Sequence, residues 1–367
     1  MHSRKVYQLA ISLIPGIGNV MARQLISYCG SPEKVFVANK KKLLAVPGIG
    51  PKTANTIINH SVISKAEELL HDCQRRGIRV LHYTDKDYPD RLKQLYDAPN
   101  ILYYKGNYDL NPPRTVGIVG TRNATSYGMM MVEKIVADLK CHGVIIISGL
   151  AYGIDFHAHQ ESLKNQMPTV GVIAGGLNHL YPALHMKTAF KMMLNGGILT
   201  ESQPDIIPEA HFFPERNRII AGLSDVIIVI EAAVKGGALI TAEYANNYNR
   251  DVFAVPGNTQ QNFSEGCNNL IKKHKAHIYT SIHDLEYILN WEPGKTGKTK
   301  TVFNMDDYSI PERKIIRVLL DNGKEMLLDE LSWKSQIPVN QLASHLLNLE
   351  FRGQIKAMPG KKFILKT

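Results

Sequence analysis

Short runs of consecutive apolar residues recur through the middle of the chain, from about Val80 to Trp291. They are rich in β-branched residues and hardly alternate with polar ones, which is typical of strands covered by helices on both faces. Helical periodicity fills the intervals between them. We therefore predict an α/β fold with an extended Rossmann-like parallel sheet. The predicted strands lie within Thr115–Gly120, Val144–Gly149, Thr169–Gly176, Gly197–Ser202, Asp225–Ala232 and Asp251–Gly257.

The first 81 residues show only helical spacing, and they contain an internal repeat. Leu13–Ile26 and Leu44–Ile57 each place Pro-Gly-Ile-Gly between two apolar helical stretches. Proline ends the preceding helix, and the glycines permit a tight turn with free backbone N–H groups. Such a turn at a helix start can hold a phosphate without reading bases. We expect a helical domain at 1–81 whose two turns can each contact a phosphate.

A polar segment at 291–309, rich in Lys, Gly and Thr, follows the predicted sheet and is interpreted as a linker. Residues 310–367 show three helical patterns and then two apolar runs around Pro359-Gly360, a hairpin signal that completes a winged helix. Its third helix, Val339–Glu350, carries no Lys or Arg, which is unfavourable for a major groove and favours a protein contact. The predicted domains are 1–81, 82–290 and 310–367.

Charge and cysteine usage narrow the class of partner. The 367 residues carry a formal net charge of +10, which favours an anionic partner such as nucleic acid. The cysteines have neither CxxC pairing nor zinc-site spacing, so we expect reduced thiols and no metal. No apolar stretch reaches the ~18 residues of a membrane span, and no signal peptide is visible. We expect a cytoplasmic protein. The cysteines are Cys29, Cys73, Cys141 and Cys267.

Three predicted strands end in glycine, then polar residues, then a helix. They lie in Gly117–Gly128, Ser148–His159 and Ala174–Pro182. In a doubly wound sheet the carboxyl ends of the strands meet at one edge and form the ligand crevice, where glycines and helix N-termini favour phosphate. Arg122 stands two residues after Gly120, so we expect it to bind phosphate together with the N–H of Thr121. The alternative is that Arg122 pairs with a carboxylate or lies on the surface.

The segment Pro208–Asp225 places two arginines beside two aromatic rings. Its members of interest are Phe212, Phe213, Arg216, Asn217 and Arg218. Such a set suits a surface that binds phosphates and bases, because charge holds a sugar–phosphate backbone while rings can stack on bases. The alternative is that one arginine pairs with a carboxylate such as Glu201 or Glu231 while the rings fill core. Lys235–Ala245 repeats the glycine-then-helix pattern and adds Lys235 and Gly236 to the same edge.

The sequence lacks the common cofactor and catalytic motifs. The first strand is followed by Gly-x-x-Gly and not GxGxxG, and Ser148-Gly149 stands where an acidic residue would contact a ribose, so NAD is not expected. The string GKTGKT at 294–299 lacks the glycine and the strand that a P-loop needs. We expect no catalytic residues, no cofactor and no metal.

Six segments, in this order, resemble the DprA/Smf family of DNA-processing proteins. They are GIVGTRNATSYG, SGLAYGIDFHAH, GGLNHLYP, FPERNRIIAGLSD, GGALITAEYA and RDVFAVPGN. The N-terminal repeat is similar to the helix-hairpin-helix (SAM-like) domain of some members, and the tail is similar to the winged helix of many. The first likeness implies contact with duplex or branched DNA at 1–81, and the alternative is that this domain contacts only protein. The resemblance implies a homodimeric single-stranded-DNA-binding mediator, not an enzyme, which protects incoming DNA in natural transformation and loads the recombinase RecA.

The resemblance also assigns residues. It places a DNA pocket at Gly120, Thr121, Arg122, Ser148, Gly149, Phe213, Arg216, Asn217 and Arg218, to which the glycine pattern adds Lys235 and Gly236. It assigns dimerisation and partner contact to Gly266–Ile278, with Leu270, Ile271 and Ile278 as apolar anchors. Two departures weaken this transfer locally: Gly236-Gly237-Ala238 replaces a Ser-Gly-Ser turn, and His185 replaces a frequent Asn.

An enzyme of the same Rossmann-like lineage is the alternative function. Phosphoribohydrolases that resemble the "lysine decarboxylase-like" proteins have a similar glycine-rich turn with a nearby catalytic Glu. Gly236-Gly237-Ala238 and Glu243 echo that arrangement. Release of base from nucleoside monophosphates would favour the enzyme, whereas tight binding of poly-dT without turnover would favour the mediator.

Overall fold

The structure is a computed structural model and describes residues 3–59, 61–293, 305, 308–322, 325–358 and 362–365. The chain divides into two compact units, Met1–Lys295 and Thr296–Thr367. Most of the predicted linker and the predicted turn at Pro359-Gly360 lie outside the described residues.

Helices alone make up the described part of the first unit before the sheet. They are α1 Arg4–Ser12, α2 Asn19–Cys29, α3 Pro32–Phe36, α4 Lys40–Leu44, α5 Pro51–Ile58 and α6 Ser61–Arg75. The two Pro-Gly-Ile-Gly segments form the turns from α1 to α2 and from α4 to α5, as predicted. Gly16 (φ +79°) and Gly48 (φ +84°) take a left-handed conformation there, which glycine adopts without steric cost.

A large sheet follows these helices. Its strands are β1 Arg79–His82, β2 Ile101–Gly106, β3 Thr115–Val119, β4 Ile145–Ser148, β5 Thr169–Val172, β6 Gly196–Thr200, β7 Val226–Val229, β8 Asp251–Ala254 and β9 His277–Ile278. The spatial order is β1-β2-β6-β5-β4-β3-β7-β8-β9. All six predicted strands are present and pair in parallel. The sequence analysis missed β1 and β2, which pair antiparallel, and the two-residue β9.

Helices cover both faces of the sheet. They are α7 Asp90–Lys93, α8 Ser126–Leu139, α9 Ile154–Lys164, α10 Met186–Leu194, α11 Phe212–Leu223, α12 Gly237–Asn247, α13 Asn262–Lys272 and α14 Ile282–Leu289. Val116 and Ile118 of β3 pack into one apolar core and Val119 into another, because successive side chains of a strand point to opposite faces. This two-sided burial explains the unbroken apolar runs in the sequence. None of the described helices combines the length and the apolar character needed to cross a membrane.

The helices before the sheet share a core with its β2–β6 side. Val6 and Leu9 of α1 belong to the same buried cluster as Ile101 of β2 and Ile198 of β6. The first unit is therefore continuous across residue 81, where the sequence analysis placed a domain boundary.

The order of the strands creates a topological switch beside β3. The chain proceeds outward from β3 through β4, β5 and β6, then returns to the other side of β3 for β7 and β8. The loops that leave β3 and β7 therefore diverge at the carboxyl edge. Ligands of open α/β sheets bind in the crevice at such a point.

The second unit is a winged helix, as predicted. Its elements are α15 Ile310–Asn322, β10 Met326–Leu327, α16 Leu328–Ser335, α17 Val339–Phe351, β11 Ile355–Met358 and β12 Lys362–Leu365. The strands pair antiparallel in the order β10-β12-β11. Ile315, Leu331 and Leu346 bring the three helices into a common apolar core.

Candidate nucleic-acid interface

A cavity of about 490 Å³ opens at the carboxyl edge of the sheet, at the switch point. Its walls are the loops after β3, β4 and β7, one face of α11 and the start of α12. The volume lies within the roughly 300–1,000 Å³ of ligand sites. The structure brings these predicted residues together around it: Gly120, Thr121, Arg122, Phe213, Arg216, Asn217, Lys235 and Gly236.

Arg122 is one of two exposed cations that line this cavity. Its guanidinium carbon lies 5.3 Å from the centre of the Phe213 ring, so the side chain rests on an aromatic face. Arg91 pairs with Asp225 and Arg218 pairs with Glu201, whereas Arg122 forms no ion pair among the described residues. Its N–H donors are therefore available to an anionic ligand.

The start of α12 adds backbone donors beside a second exposed cation, Lys235. The N-cap residue Gly236 provides no side-chain cap, which leaves first-turn N–H groups for another acceptor. A Cβ built on Gly237 would come no closer than 3.9 Å to any neighbouring atom, so the space above this turn is open. An uncapped helix start next to a lysine is a suitable place for phosphate.

The backbone N–H of Thr121 is not a phosphate donor, contrary to expectation. It donates to the carbonyl of Glu231 at 2.8 Å, while the carbonyl of Thr121 accepts from Ile154 N–H at 3.2 Å. Gly153 (φ +73°) permits this close approach, because a Cβ there would lie 2.3 Å from the Thr121 oxygen. The turn is thus fixed between β7 and α9, and this positions the backbone of Arg122.

Arg216 forms a wall of the cavity and is itself only 5% exposed. Its Nη1 donates to the carbonyls of Gly149, at 2.5 Å, and of Val172, which joins the ends of β4 and β5. Burial lowers its pKa to about 10, and the nearby Asp155 carboxylate opposes that shift. Burial likewise raises the pKa of Asp155. Arg216 therefore stays protonated at neutral pH, but its charge is committed to protein groups.

Asn217, Ser148 and Gly149 also have structural partners. The Asn217 amide donates to the carbonyl of Gly237 at 3.1 Å and holds α12 against α11. Ser148 is fully buried and donates to the carbonyl of Ile118 at 2.6 Å, so a ligand cannot reach its hydroxyl. At Gly149 a Cβ would lie 2.4 Å from Asp155 Oδ2 and 2.7 Å from Arg216 Nη2, so only glycine fits.

Arg218 does not line the cavity. Its Nη2 pairs with Glu201, its Nη1 donates to the carbonyl of Asp97 at 2.7 Å, and its side chain is 14% exposed. The carboxylate alternative therefore holds for this arginine. Phe213, Arg216 and Asn217 occupy positions i, i+3 and i+4 of one helix face, and position i+5 points away, so helical spacing could have separated Arg218 from them.

Two tyrosines beside the cavity were not singled out from the sequence. Tyr181 lies 6.0 Å from Phe213 and Tyr152 lies 6.5 Å from Tyr181, measured between ring centres. Both line a small hollow of about 10 Å³ together with Arg122 and Phe213. They come from different loops, after β4 and β5, and only the fold places them side by side.

The three predicted dimer anchors differ in exposure. Leu270 is 8% exposed and belongs to the core beneath α13, and Ile271 packs against the same core. Ile278 is 46% exposed and lies on β9, an edge strand of the sheet. Leu270 therefore supports the fold, and Ile278 is the anchor that presents an apolar surface.

The glutamate of the enzyme alternative lies outside the cavity lining. Glu243 pairs with Lys275 at 2.7 Å and its side chain is 54% exposed. A catalytic carboxylate needs a desolvated position within reach of its substrate. The acidic residue that does line the cavity, Asp155, is buried against Arg216.

One cluster on α8 and α9 has ligand-type atoms close together. One potential ligand atom from each of Glu133, His157 and Glu161 lies within 4.8 Å of the others. Lys164 already pairs with the Glu161 carboxylate at 3.1 Å. This group does not border the cavity.

Comparison with known proteins accounts for every part of this architecture. A model of DNA recombination-mediator protein A matches residues 79–290, one of a SAM-like helix-hairpin-helix tandem matches 9–60, and one of the DprA winged helix domain matches 311–361. Protein Smf of Synechocystis is 31% identical, with 99% of each chain covered.

Two solved structures share the fold. DNA processing protein A of Streptococcus pneumoniae superimposes with a TM-score of 0.68 at 31% identity, covering 80% of this chain and 99% of that one. DNA processing protein A of Helicobacter pylori, described for its single-stranded DNA binding mode, gives a TM-score of 0.53 at 29% identity over 59% of this chain and 97% of that one. The chain therefore belongs to the DprA/Smf family of DNA recombination-mediator proteins.

Proposed function

We propose that this chain binds single-stranded DNA in the cavity at the carboxyl edge of its sheet and acts as a recombination mediator, by binding and not by catalysis. The observation that carries the proposal is the meeting of two cations, Arg122 and Lys235, which have no carboxylate partner in the described part of the chain, with an uncapped helix start and the Phe213 ring. The single-stranded DNA binding described for the Helicobacter pylori relative supports it.

The site recognises the chemistry common to all single strands. Arg122, Lys235 and the first N–H groups of α12 hold phosphates, while the Phe213 ring supports a base. Neither a phosphate nor the face of a base carries much sequence information, so binding is tolerant of sequence. Each phosphate that the protein neutralises releases counterions, so affinity falls as salt rises. The logarithm of the binding constant falls against the logarithm of the salt concentration with a slope of about −0.7 per phosphate on a single strand.

The finer role rests on family membership. A mediator in this family protects incoming single strands in the cytoplasm during natural transformation and loads RecA onto them. We extend this role to the present chain, acting as a homodimer. The exposed Ile278 on the edge strand β9 is the apolar anchor for that dimer or for the RecA contact.

The flanking domains contribute further contacts. The turns Gly16-Ile17-Gly18 and Gly48-Ile49-Gly50 each precede a helix without a side-chain N-cap, α2 and α5, as a phosphate-binding hairpin requires. We assign duplex or branched DNA to them. The winged helix is assigned to protein contact, because α17 carries no Lys or Arg and exposes Leu347 and Phe351.

A binding series on the full-length chain tests the proposal. Single-stranded poly-dT and a duplex of equal length are titrated at several salt concentrations, and RecA filament formation is timed on the single strand with and without this protein. Tight, salt-sensitive binding of poly-dT and faster filament formation are expected. Equal affinity for both DNA forms that Arg122→Ala does not change would place the binding elsewhere.

A further inference from the structure

Beyond Phe213 lies a row of aromatic rings that the proposed phosphate contacts do not use. From the Arg122 guanidinium the row runs over Phe213 to Tyr181 and then to Tyr152. Tyr181 is 48% exposed and Tyr152 is 39% exposed. Two neighbouring exposed rings next to a cation that can hold a phosphate offer faces on which bases can stack.

The planes of neighbouring rings in the row are steeply inclined to one another. Phe213 and Tyr181 meet at 70° and Tyr181 and Tyr152 at 86°, so they do not form one continuous stack. Their centres are 6.0 and 6.5 Å apart, wider than the rise of about 3.4 Å per nucleotide along a B-DNA strand. This spacing suits the bases of an extended, unstacked single strand, each on its own ring.

Contacts with neighbouring residues fix the position of the Tyr152 ring. The Tyr152 and His185 rings meet edge to face, with their centres 5.1 Å apart. His185 is only 4% exposed and is stacked on Phe156, with 3.7 Å between the ring centres. His185 Nδ1 lies 2.9 Å from the carbonyl of Leu150, at the start of the Tyr152 loop. A ring that is already positioned loses little conformational entropy when a base stacks on it. His185 is therefore part of the support for this row.

The lining of the small hollow under the row carries no carboxylate among the described residues, and its charged side chains are Arg122 and Arg216. At about 10 Å³ the hollow is too small to admit a nucleotide, so a strand bound here lies over the exposed rings and meets no negative charge from this lining.

We propose that Tyr181 and Tyr152 extend the binding site into a stacking track for successive bases of a single strand leaving the cavity. The inference rests on the proposed function, because it assumes that the strand is anchored at Arg122. It predicts that duplex DNA, whose bases already stack on one another, does not use the track.

Fluorescence anisotropy with a short poly-dT oligonucleotide tests the track on the full chain. Tyr181→Ala and Tyr152→Ala should each weaken binding about 5- to 20-fold, the lower part of the range for alanine at stacking sites, with an unchanged salt slope. Tyr181→Phe should restore affinity because it keeps the ring. The matched control is Tyr287→Ala, which removes a tyrosine that is 86% exposed on α14, and it should bind like the wild type.

A scan of single abasic positions separates stacking from a structural role. The penalty of Tyr181→Ala should vanish on the oligonucleotide that lacks the base facing this ring, and persist on the others. A penalty equal on every abasic oligonucleotide would contradict stacking. Wild-type affinity of both alanine variants, with binding lost in Arg122→Ala, would overturn the track alone. Wild-type affinity of Arg122→Ala would overturn the proposed function itself.

Discussion

The mouth and the wall of the cavity use the same chemistry for opposite purposes. The mouth, defined as Arg122 and Lys235, is exposed, and neither cation has a carboxylate partner among the described residues. The wall, defined as Arg216, Asp155 and Asn217, is buried, and its polar groups bind one another and the ends of strands. Two arginines that look alike in the sequence thus serve a ligand in one place and the fold in the other.

This contrast shows why a charged residue near a ligand site is not automatically a ligand contact. Three N–H groups of the buried Arg216 guanidinium donate to the carbonyls of Gly149 and Val172 and to the Asn217 amide oxygen, and removing the guanidinium leaves those groups desolvated and unpaired. An exposed guanidinium on an aromatic face makes few contacts in the free protein, so its removal should change the stability of the fold very little. The two regions should therefore respond to mutation in different measurements.

The largest effect is expected for the wall. Arg216→Ala should lower the free energy of unfolding by about 3–5 kcal/mol, because Asp155 would remain buried without its counter-charge. Urea denaturation should show an earlier midpoint with an unchanged m-value. Arg122→Ala is the control and should change stability by less than about 0.5 kcal/mol. A variant Arg216→Ala that folds like the wild type but loses DNA binding would break the distinction between mouth and wall.

Acid should lower the free energy of unfolding, because a histidine next to the wall is buried in its neutral form. His159 is fully buried, and burial lowers its pKa from 6.5 to about 3, helped by Arg216 and His185. Between these two pKa values the unfolded chain binds a proton at His159 that the folded chain does not. The contribution of His159 to the free energy of unfolding is therefore fully present above about pH 6.5 and is lost as the pH drops towards 3, by up to about 1.4 kcal/mol per pH unit.

Unfolding measured between pH 7 and pH 4 checks this titration. His82, whose pKa burial lowers to about 4, contributes in the same direction, so His159→Asn should reduce the pH slope without abolishing it. His283→Asn is the control, because that side chain is 83% exposed. An unchanged slope in His159→Asn would show that this histidine does not titrate on unfolding.

The mouth should respond in binding. Arg122→Ala removes a charged hydrogen-bond donor worth about 1.5–3 kcal/mol, so affinity for poly-dT should fall roughly 10- to 100-fold. The salt slope should become shallower by about 0.7 for each lost phosphate contact. Lys134→Ala, an exposed lysine on α8 that does not border the cavity, is the control. A full effect on affinity without a change in slope would indicate that Arg122 does not contact phosphate.

The smallest effect is expected at the residue that the enzyme alternative would need most. Glu243→Gln breaks an exposed pair with Lys275, which should cost less than about 1 kcal/mol of stability and leave DNA affinity unchanged. Chromatography of nucleoside monophosphates incubated with the wild type should show no free base. Base release that disappears in Glu243→Gln would instead establish an enzyme.

Much of the fold could be predicted because local pattern and burial agree. The apolar runs of β3–β8 are unbroken since both faces of those strands are covered, and the Pro-Gly-Ile-Gly turns need glycine wherever they occur. The sequence analysis missed β1 and β9 because four and two residues are too few to show a period, and β2 because its antiparallel pairing with β6 has no local signal.

The candidate site also combines features that the sequence predicts with features that only the fold decides. The sequence by itself determined that Arg122, Phe213 and Lys235 follow strand ends or begin helices, and a parallel sheet gathers such positions at one edge. Only the tertiary structure decided which polar groups remain free: Thr121 N–H bonds Glu231, Ser148 bonds Ile118, and Arg218 pairs with Glu201. Hydrogen-bond partners come from segments far apart in the chain, so no local pattern records them. The position of Tyr181 beside Tyr152 is of the same kind, because two loops meet there only after the sheet has formed.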